Sequence, residues 1–368
     1  MRKTYLDNIR WITVVLVVIY HVIYMFNGIE TFGVIGPFSR VQYQDAFQYI
    51  VYPWFMLLLF VVSGMSARFA LEHLPPKEFI KSRTRKLLVP STIGLFVFWW
   101  ILGYFNLLIG GGLESMSAVP GPILYLIMAL SGIGPLWYIQ LLWVFSVILL
   151  LVRKWEKDKL YRLCERANVP VLLALALVIW VAAQILNTPI IVVYRFGIYG
   201  AGFFLGYFLF SHDAVMERLE IWWCPLALAA LALGTAFLIV FWGAPYAEHE
   251  VLDTILCNLY AWVAVLAILS VMKKWGNFDN PFTRFMNRKS WGVYLFHYLP
   301  LAACAWYLHT YTELPAAAMY VCVGAAAFAG ALLLYEIISH IPVLRWCVCG
   351  LRGGKYVRGK SNGTEKIS

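Results

Sequence analysis

The chain has 368 residues, of which 62% are apolar and 17% aromatic while only 13% are charged, and its formal net charge is +10. That balance lies far from the average soluble domain and excludes a water-soluble globular protein. It reads as a polytopic integral membrane protein, all-α in class.

Apolar runs long enough to cross the bilayer at about 1.5 Å per residue fall, in chain order, at Trp11–Gly28, Phe47–Leu71, Leu87–Ile109, Pro135–Val152, Val169–Leu186, Pro189–Phe210, Ile221–Trp242, Val251–Met272, Ser290–Tyr311 and Ala316–Ile338. About ten transmembrane helices are therefore expected over residues 1–345, followed by a basic, flexible cytoplasmic tail over residues 346–368. Arg2, Lys3 and Arg10 precede the first run in the manner of a signal peptide. That run continues into Tyr24, Met25, Phe26 and Asn27 without a small-residue cleavage site, so it reads as a retained anchor.

Under this count all but two of the 29 lysines and arginines fall on one side, Arg40 and Arg195 being the exceptions. The positive-inside rule then places both termini in the cytoplasm. Topology accounts for the net charge without a nucleic-acid partner, and the juxtamembrane clusters favour anionic lipid. The seven cysteines form no disulfide framework and no zinc spacing. Cys347 and Cys349 read as ordinary tail residues, with lipidation as the less favoured alternative.

Arg10 and His21 stand eleven residues apart, which on a helix returns to within roughly 20° of the same direction about 16 Å further along. One face of the first helix thus carries a cation at the membrane boundary and an ionisable ring deep in the hydrocarbon. Groups of that kind mark functional pathways. Asp7, three residues before Arg10, shares its face and is placed to hold the guanidinium.

These residues carry a resemblance. Leu6-Asp7-Asn8-Ile9-Arg10 followed by His21 resembles the first-helix signature of the membrane-bound acyltransferase 3 family. Phe60-Val61-Val62-Ser63-Gly64 resembles its second helix, and Arg83-Thr84-Arg85-Lys86-Leu87-Leu88-Val89-Pro90 its basic entry to the third. Ser290-Trp291-Gly292-Val293-Tyr294-Leu295-Phe296-His297, with Tyr335-Glu336 through Arg345 and Gly350, resembles the last two helices. One departure is Lys86, where the family usually has arginine; it exchanges a planar fork for a point charge.

The resemblance implies an O-acyltransferase of the cell inner or plasma membrane that moves an acetyl or other short acyl group from cytoplasmic acyl-CoA to a hydroxyl of a sugar, glycan or small molecule. No metal and no tightly bound cofactor is implied; acyl-CoA is a co-substrate. Arg10, Arg83, Arg85 and Lys86 are then expected to converge as the phosphate-binding rim. Arg10 and His21 become the catalytic pair, His21 acting as general base or transient acyl carrier. The oligomeric state is left open.

Four further residues are candidates for binding the acceptor. Arg195, about a third of the way into the sixth expected helix, either orients an acceptor or pairs with Asp253. His297 shares the depth of the first-helix pathway. Trp137 and Tyr138 open the fourth expected helix at the outer interface, where aromatic belts are common and sugar stacking is an alternative. Glu336 reads as a counter-ion for the basic rim. Ser63 and Gly64 read as small residues that permit close helix packing, and Pro90 as a first-turn proline. The competing class is a secondary transporter or flippase using the same Arg/His pathway; the sequence offers no broken helices in matching halves to support it.

Overall fold

The computed structural model describes residues 3–29, 33–188 and 193–351. The expected sixth span therefore begins, at Pro189, outside the described residues, as do the tail's Arg352, Lys355, Arg358, Lys360 and Lys366. Among the described residues the chain is helical, with a single isolated bridge between Asn187 and Arg195 as its only β pairing. Seven helices among the described residues are long and apolar enough to cross a membrane: Thr4–Tyr24, Tyr43–His73, Pro76–Ile109, Leu136–Glu156, Trp223–Phe241, Ile255–Trp275 and Ala316–His340. Gly121–Ser131, Val169–Ala183 and Phe196–Phe210 are shorter apolar helices.

The helix α1 (Thr4–Tyr24) packs against α2 (Ala46–His73), the most enclosed of the seven. The next, α3, runs unbroken from Pro76 to Ile109, eleven residues earlier than Leu87. Pro90 is consequently an interior proline. It follows a widened π-type turn at Thr84–Leu88, and a second such turn occupies Leu95–Trp99. A proline within a helix removes one backbone donor and crowds the preceding turn, and a π turn supplies the slack that keeps the rod continuous.

The expected fourth span is one part of an interrupted rod. A short helix α4 (Gly121–Ser131) and the longer α5 (Leu136–Glu156) run back along α3 in sequence. Asn106 Nδ2 donates to Ser131 O at 2.7 Å, Gln140 Nε2 to Ser91 O at 3.0 Å, and Trp143 Nε1 to Thr84 Oγ1 at 3.0 Å. The α4–α3 approach is glycine-mediated: a Cβ on Gly103 would lie 2.6 Å from the Met128 carbonyl carbon, and one on Gly132 2.7 Å from that of Trp99. Between α4 and α5 the chain turns at Gly132-Ile133-Gly134-Pro135, where Gly134 takes φ +39. Helical backbone is lost inside the bundle, which a membrane protein tolerates only where protein or a cavity covers it.

The ninth expected span begins at Pro281 rather than Ser290 and is also interrupted, as α11 (Pro281–Phe296) and α12 (Tyr298–Tyr311). Pro300 is the cause: it has no N–H to give to the Phe296 carbonyl four residues back. Between these rods lie α6 (Val169–Ala183), α7 (Phe196–Phe210), α8 (Asp213–Ile221), α9 (Trp223–Phe241) and α10 (Ile255–Trp275), and α13 (Ala316–His340) closes the bundle. The α2–α7 crossing is glycine-mediated too. A Cβ on Gly64 would lie 2.9 Å from Tyr207 N, and one on Gly206 2.8 Å from the Val61 carbonyl carbon, so Gly64 packs as expected.

After α13 the chain forms α14 (Pro342–Cys347) and folds back onto α3. Trp291 Nε1 donates to Cys349 O at 3.3 Å, and both Cys347 and Cys349 are buried. Residues 346–351 are thus part of the packed body rather than a free tail. The two thiols do not face solvent, and burial pushes that of Cys349 up to about 12, both of which count against lipidation.

Candidate active site

The cytoplasmic-side expectation for Arg10 begins from local helix geometry. Asp7 Oδ1 accepts from Arg10 Nη1 at 2.8 Å across one turn of α1. The other arm of the fork donates to Ser66 Oγ on α2, whose hydroxyl donates on to Val62 O at 2.6 Å. Asn8 ties this end of α1 to the α10–α11 connection through Gly276 O at 2.7 Å and Phe278 O at 2.8 Å. Arg10 is therefore fixed on two sides.

From α3, Arg83 brings a second guanidinium to the same place. Its electrostatic neighbours are Arg10 and the Tyr138 hydroxyl, and it lies over the Phe79 ring at 5.0 Å. Among the described residues no carboxylate pairs with Arg83 and no oxygen accepts a hydrogen bond from it. Tyr138 completes the cluster from α5: it shares a hydrogen bond with Ser63 at 2.8 Å and is within the field of both arginines. Two cations, three hydroxyls and a single carboxylate thus gather, with positive charge in excess.

Arg85 and Lys86 do not join it. Two residues along a helix is a turn of about 200°, so Arg85 points away from Arg83 and donates from Nε to Gly350 O at 3.3 Å, while Lys86 is exposed. Of the expected four-residue rim, Arg10 and Arg83 are brought together, while Arg85 faces the C-terminal segment.

His21 lies further along the same face of α1. Its Nδ1 is 2.8 Å from Val17 O, and its ring packs edge-on against Tyr298 at 4.9 Å and Tyr20 at 5.3 Å. His297, at the α11–α12 interruption, is fully buried and places Nε2 3.2 Å from His21 Nδ1. The α4–α5 turn reaches the same level: Tyr294 hydroxyl donates to Pro135 O, and a Cβ on Gly134 would be 3.7 Å from Cδ1 of Tyr298. Both interruptions meet beside His21.

This corrects the placement of Trp137 and Tyr138. Since α5 starts inside the bundle, neither is at an outer interface. Tyr138 is buried against α2, and Trp137 packs on Tyr199 at 5.5 Å and Tyr194 at 6.3 Å. For Arg195 the position is corrected, while its pairing with Asp253 is one of the two expected alternatives. It caps the N-terminus of α7 instead of lying within a helix, it is 5% exposed, and Nη2 meets Asp253 Oδ1 at 3.2 Å and Leu252 O at 3.3 Å. No contact joins Arg195 to His21, His297, Arg10 or Arg83 among the described residues. Glu336 pairs with Lys289 at 2.6 Å. The residues that sequence reasoning passed over are Ser66, Pro300 and the pairing of Tyr138 with Ser63; only Pro300 carries a signal readable without the fold.

The acyltransferase domain of the acyltransferase 3 family matches residues 3–336, and the chain belongs to that family. It is an integral membrane acyltransferase. No curated protein and no solved structure matches the chain.

Proposed function

We propose that this acyltransferase takes its acyl group, acetyl or another short chain, from cytoplasmic acyl-CoA and delivers it to a hydroxyl of a sugar, glycan or small acceptor. The observation that carries the reading is that Arg10 and Arg83 lie within each other's electrostatic field while, among the described residues, Arg83 has no carboxylate partner. Guanidinium forks match phosphate geometry, and a polyanionic donor supplies the missing charge. From that pair to His21 is about 16 Å along α1, a span suited to a pantetheine arm, so the thioester reaches the histidine while the phosphates stay at the rim.

In the transfer, His21 takes the proton of the acceptor hydroxyl as its oxygen bonds to the thioester carbonyl carbon. The carbon–sulfur bond then breaks, and the CoA thiolate leaves with the proton returned by His21. Counting α6 and α7 as short crossings, and α4–α5 and α11–α12 as one interrupted crossing each, gives ten crossings. Both termini then lie on the lysine- and arginine-rich, cytoplasmic face of the cell's inner or plasma membrane. Arg85 and Lys86 serve this reading as rim charges that steer the donor.

The interrupted helices are also a transporter's device. A flippase reading is separated by sidedness. Sealed vesicles carrying the protein are expected to form ester only with acyl-CoA on the Arg83 side, and Arg83→Gln to raise the apparent KM for acyl-CoA at least tenfold. Solute flux in donor-free vesicles, with no ester formed when donor is added, overturns the proposal.

A further inference from the structure

His21 and His297 present four ring nitrogens, and their surroundings leave one consistent way to place the hydrogens on the neutral pair. His297 Nδ1 is 2.8 Å from Tyr294 O and 3.1 Å from Val293 O. Carbonyl oxygens only accept, so His297 Nδ1 carries the hydrogen and its Nε2 is a bare lone pair. His21 Nδ1 faces Val17 O at 2.8 Å and that lone pair at 3.2 Å. It too carries a hydrogen, shared between the two acceptors. Any other assignment sets a lone pair against a carbonyl oxygen in a buried place, at a cost of about 1–3 kcal/mol. What remains without a hydrogen is Nε2 of His21.

We infer that His297 is a positioning residue that locks His21 in its Nδ1–H tautomer, so that Nε2 is the nitrogen that takes the proton from the acceptor hydroxyl. The role rests on the reading of His21 as base. As Nε2 receives the proton, the ring becomes an imidazolium whose Nδ1–H already points at two acceptors, so the new charge is met without rearrangement. The ring of His297 is delivered by the α11–α12 interruption, and its own backbone contacts to Val293 and Tyr294 stop it from rotating. A histidine buried merely for packing needs no acceptor directed at Nδ1 of the other.

The test pairs two substitutions with one spectroscopic measurement. His297→Gln keeps an acceptor near the Nε2 position and His297→Leu removes it. In purified protein the leucine variant is expected to lose roughly 10- to 100-fold in kcat with KM for acyl-CoA unchanged, and the glutamine variant to recover most of that loss. Nitrogen-15 NMR of histidine-labelled parent protein, assigned by comparison with His21→Gln, is expected to show His21 protonated at Nδ1 and bare at Nε2. A His21 found as the Nε2–H tautomer overturns the inference whether or not the leucine variant folds, as does a leucine variant with the parent's kcat. If His21→Ala itself keeps turnover, the base reading fails first; if that variant is inactive while His297→Leu is not, only the role of His297 falls.

Discussion

The α2–α7 crossing predicts a coupled loss of stability and rate. In Gly206→Ala the added methyl meets the Val61 carbonyl, and in Gly64→Ala it meets Phe203 and Tyr207 backbone. These are backbone atoms that cannot swing aside. Restoring ordinary contact, about 3.4 Å or more, needs the helices to part by roughly 1 Å, and overpacking of this kind costs about 1–3 kcal/mol. The same displacement moves Ser63 and Ser66, which hold Tyr138 and Arg10, and about 1 Å of misplacement can cost roughly 100-fold in rate. Gly324→Ala, whose methyl meets nothing within 4 Å, is the control. Thermal unfolding in detergent and ester formation from labelled acyl-CoA are the assays. We expect both glycine variants to unfold several degrees below the parent and to lose rate, with the control unchanged. A Gly206→Ala protein as stable and active as the parent, or a control that falls as far, refutes the reasoning.

Four further outcomes follow from the site. His21→Ala should fold and insert yet lose about 100- to 10,000-fold in turnover, the usual contribution of a general base, as read by single-turnover ester formation. Arg83→Lys should retain only part of the acyl-CoA affinity, because an ammonium keeps charge and loses the fork; equilibrium binding of acyl-CoA measures it. Asp253→Asn should destabilise by about 1–3 kcal/mol, less than a fully buried pair would give, since the carboxylate is 28% exposed; its kinetic constants should stay at the parent's, and a raised acceptor KM would instead return Arg195 to the binding site. Maleimide should label exposed Cys224 and leave Cys347 and Cys349 unmodified, whereas Arg85→Ala, which cuts the bond to Gly350, should speed modification of Cys349; equal rates at all three sites would contradict the packed C-terminal segment.

The sequence made the first helix legible because periodicity is a local property. Arg10, Asp7 and His21 share a face by spacing alone, and the Asp7–Arg10 pair is where that spacing puts it. What lies between helices was not legible. Arg83, Arg85 and Lys86 are indistinguishable as a charge run, and only the neighbours of α3 decide that the first meets Arg10 while the second meets Gly350. Hydropathy windows also average over breaks. Gly132-Ile133-Gly134-Pro135 has the composition of a loop, and a loop buried in the bundle reads from sequence like one at the surface, which is why Trp137 and Tyr138 are expected at the outer interface. Gly202 and Gly206, at the four-residue spacing of a close helix contact, were a readable signal for the α7 crossing.

The two interruptions explain why the chemistry sits where it does. A continuous apolar helix satisfies all of its backbone groups internally and offers a hydroxyl acceptor nothing but side chains. One rod breaks at Gly132–Pro135, another loses a single backbone bond at Pro300, and the Tyr294–Pro135 hydrogen bond holds the two places together. His21 stands at that level because α1 carries it eleven residues beyond Arg10, while α3 carries Arg83 to the level of Arg10 itself. The distance between the anion-seeking pair and the histidine is thus set by one unbroken helix, and the geometry around the histidine by two broken ones. Rigidity fixes the reach to the thioester and supplies Val17 O beside the base, and the α11–α12 interruption supplies the second acceptor, His297 Nε2.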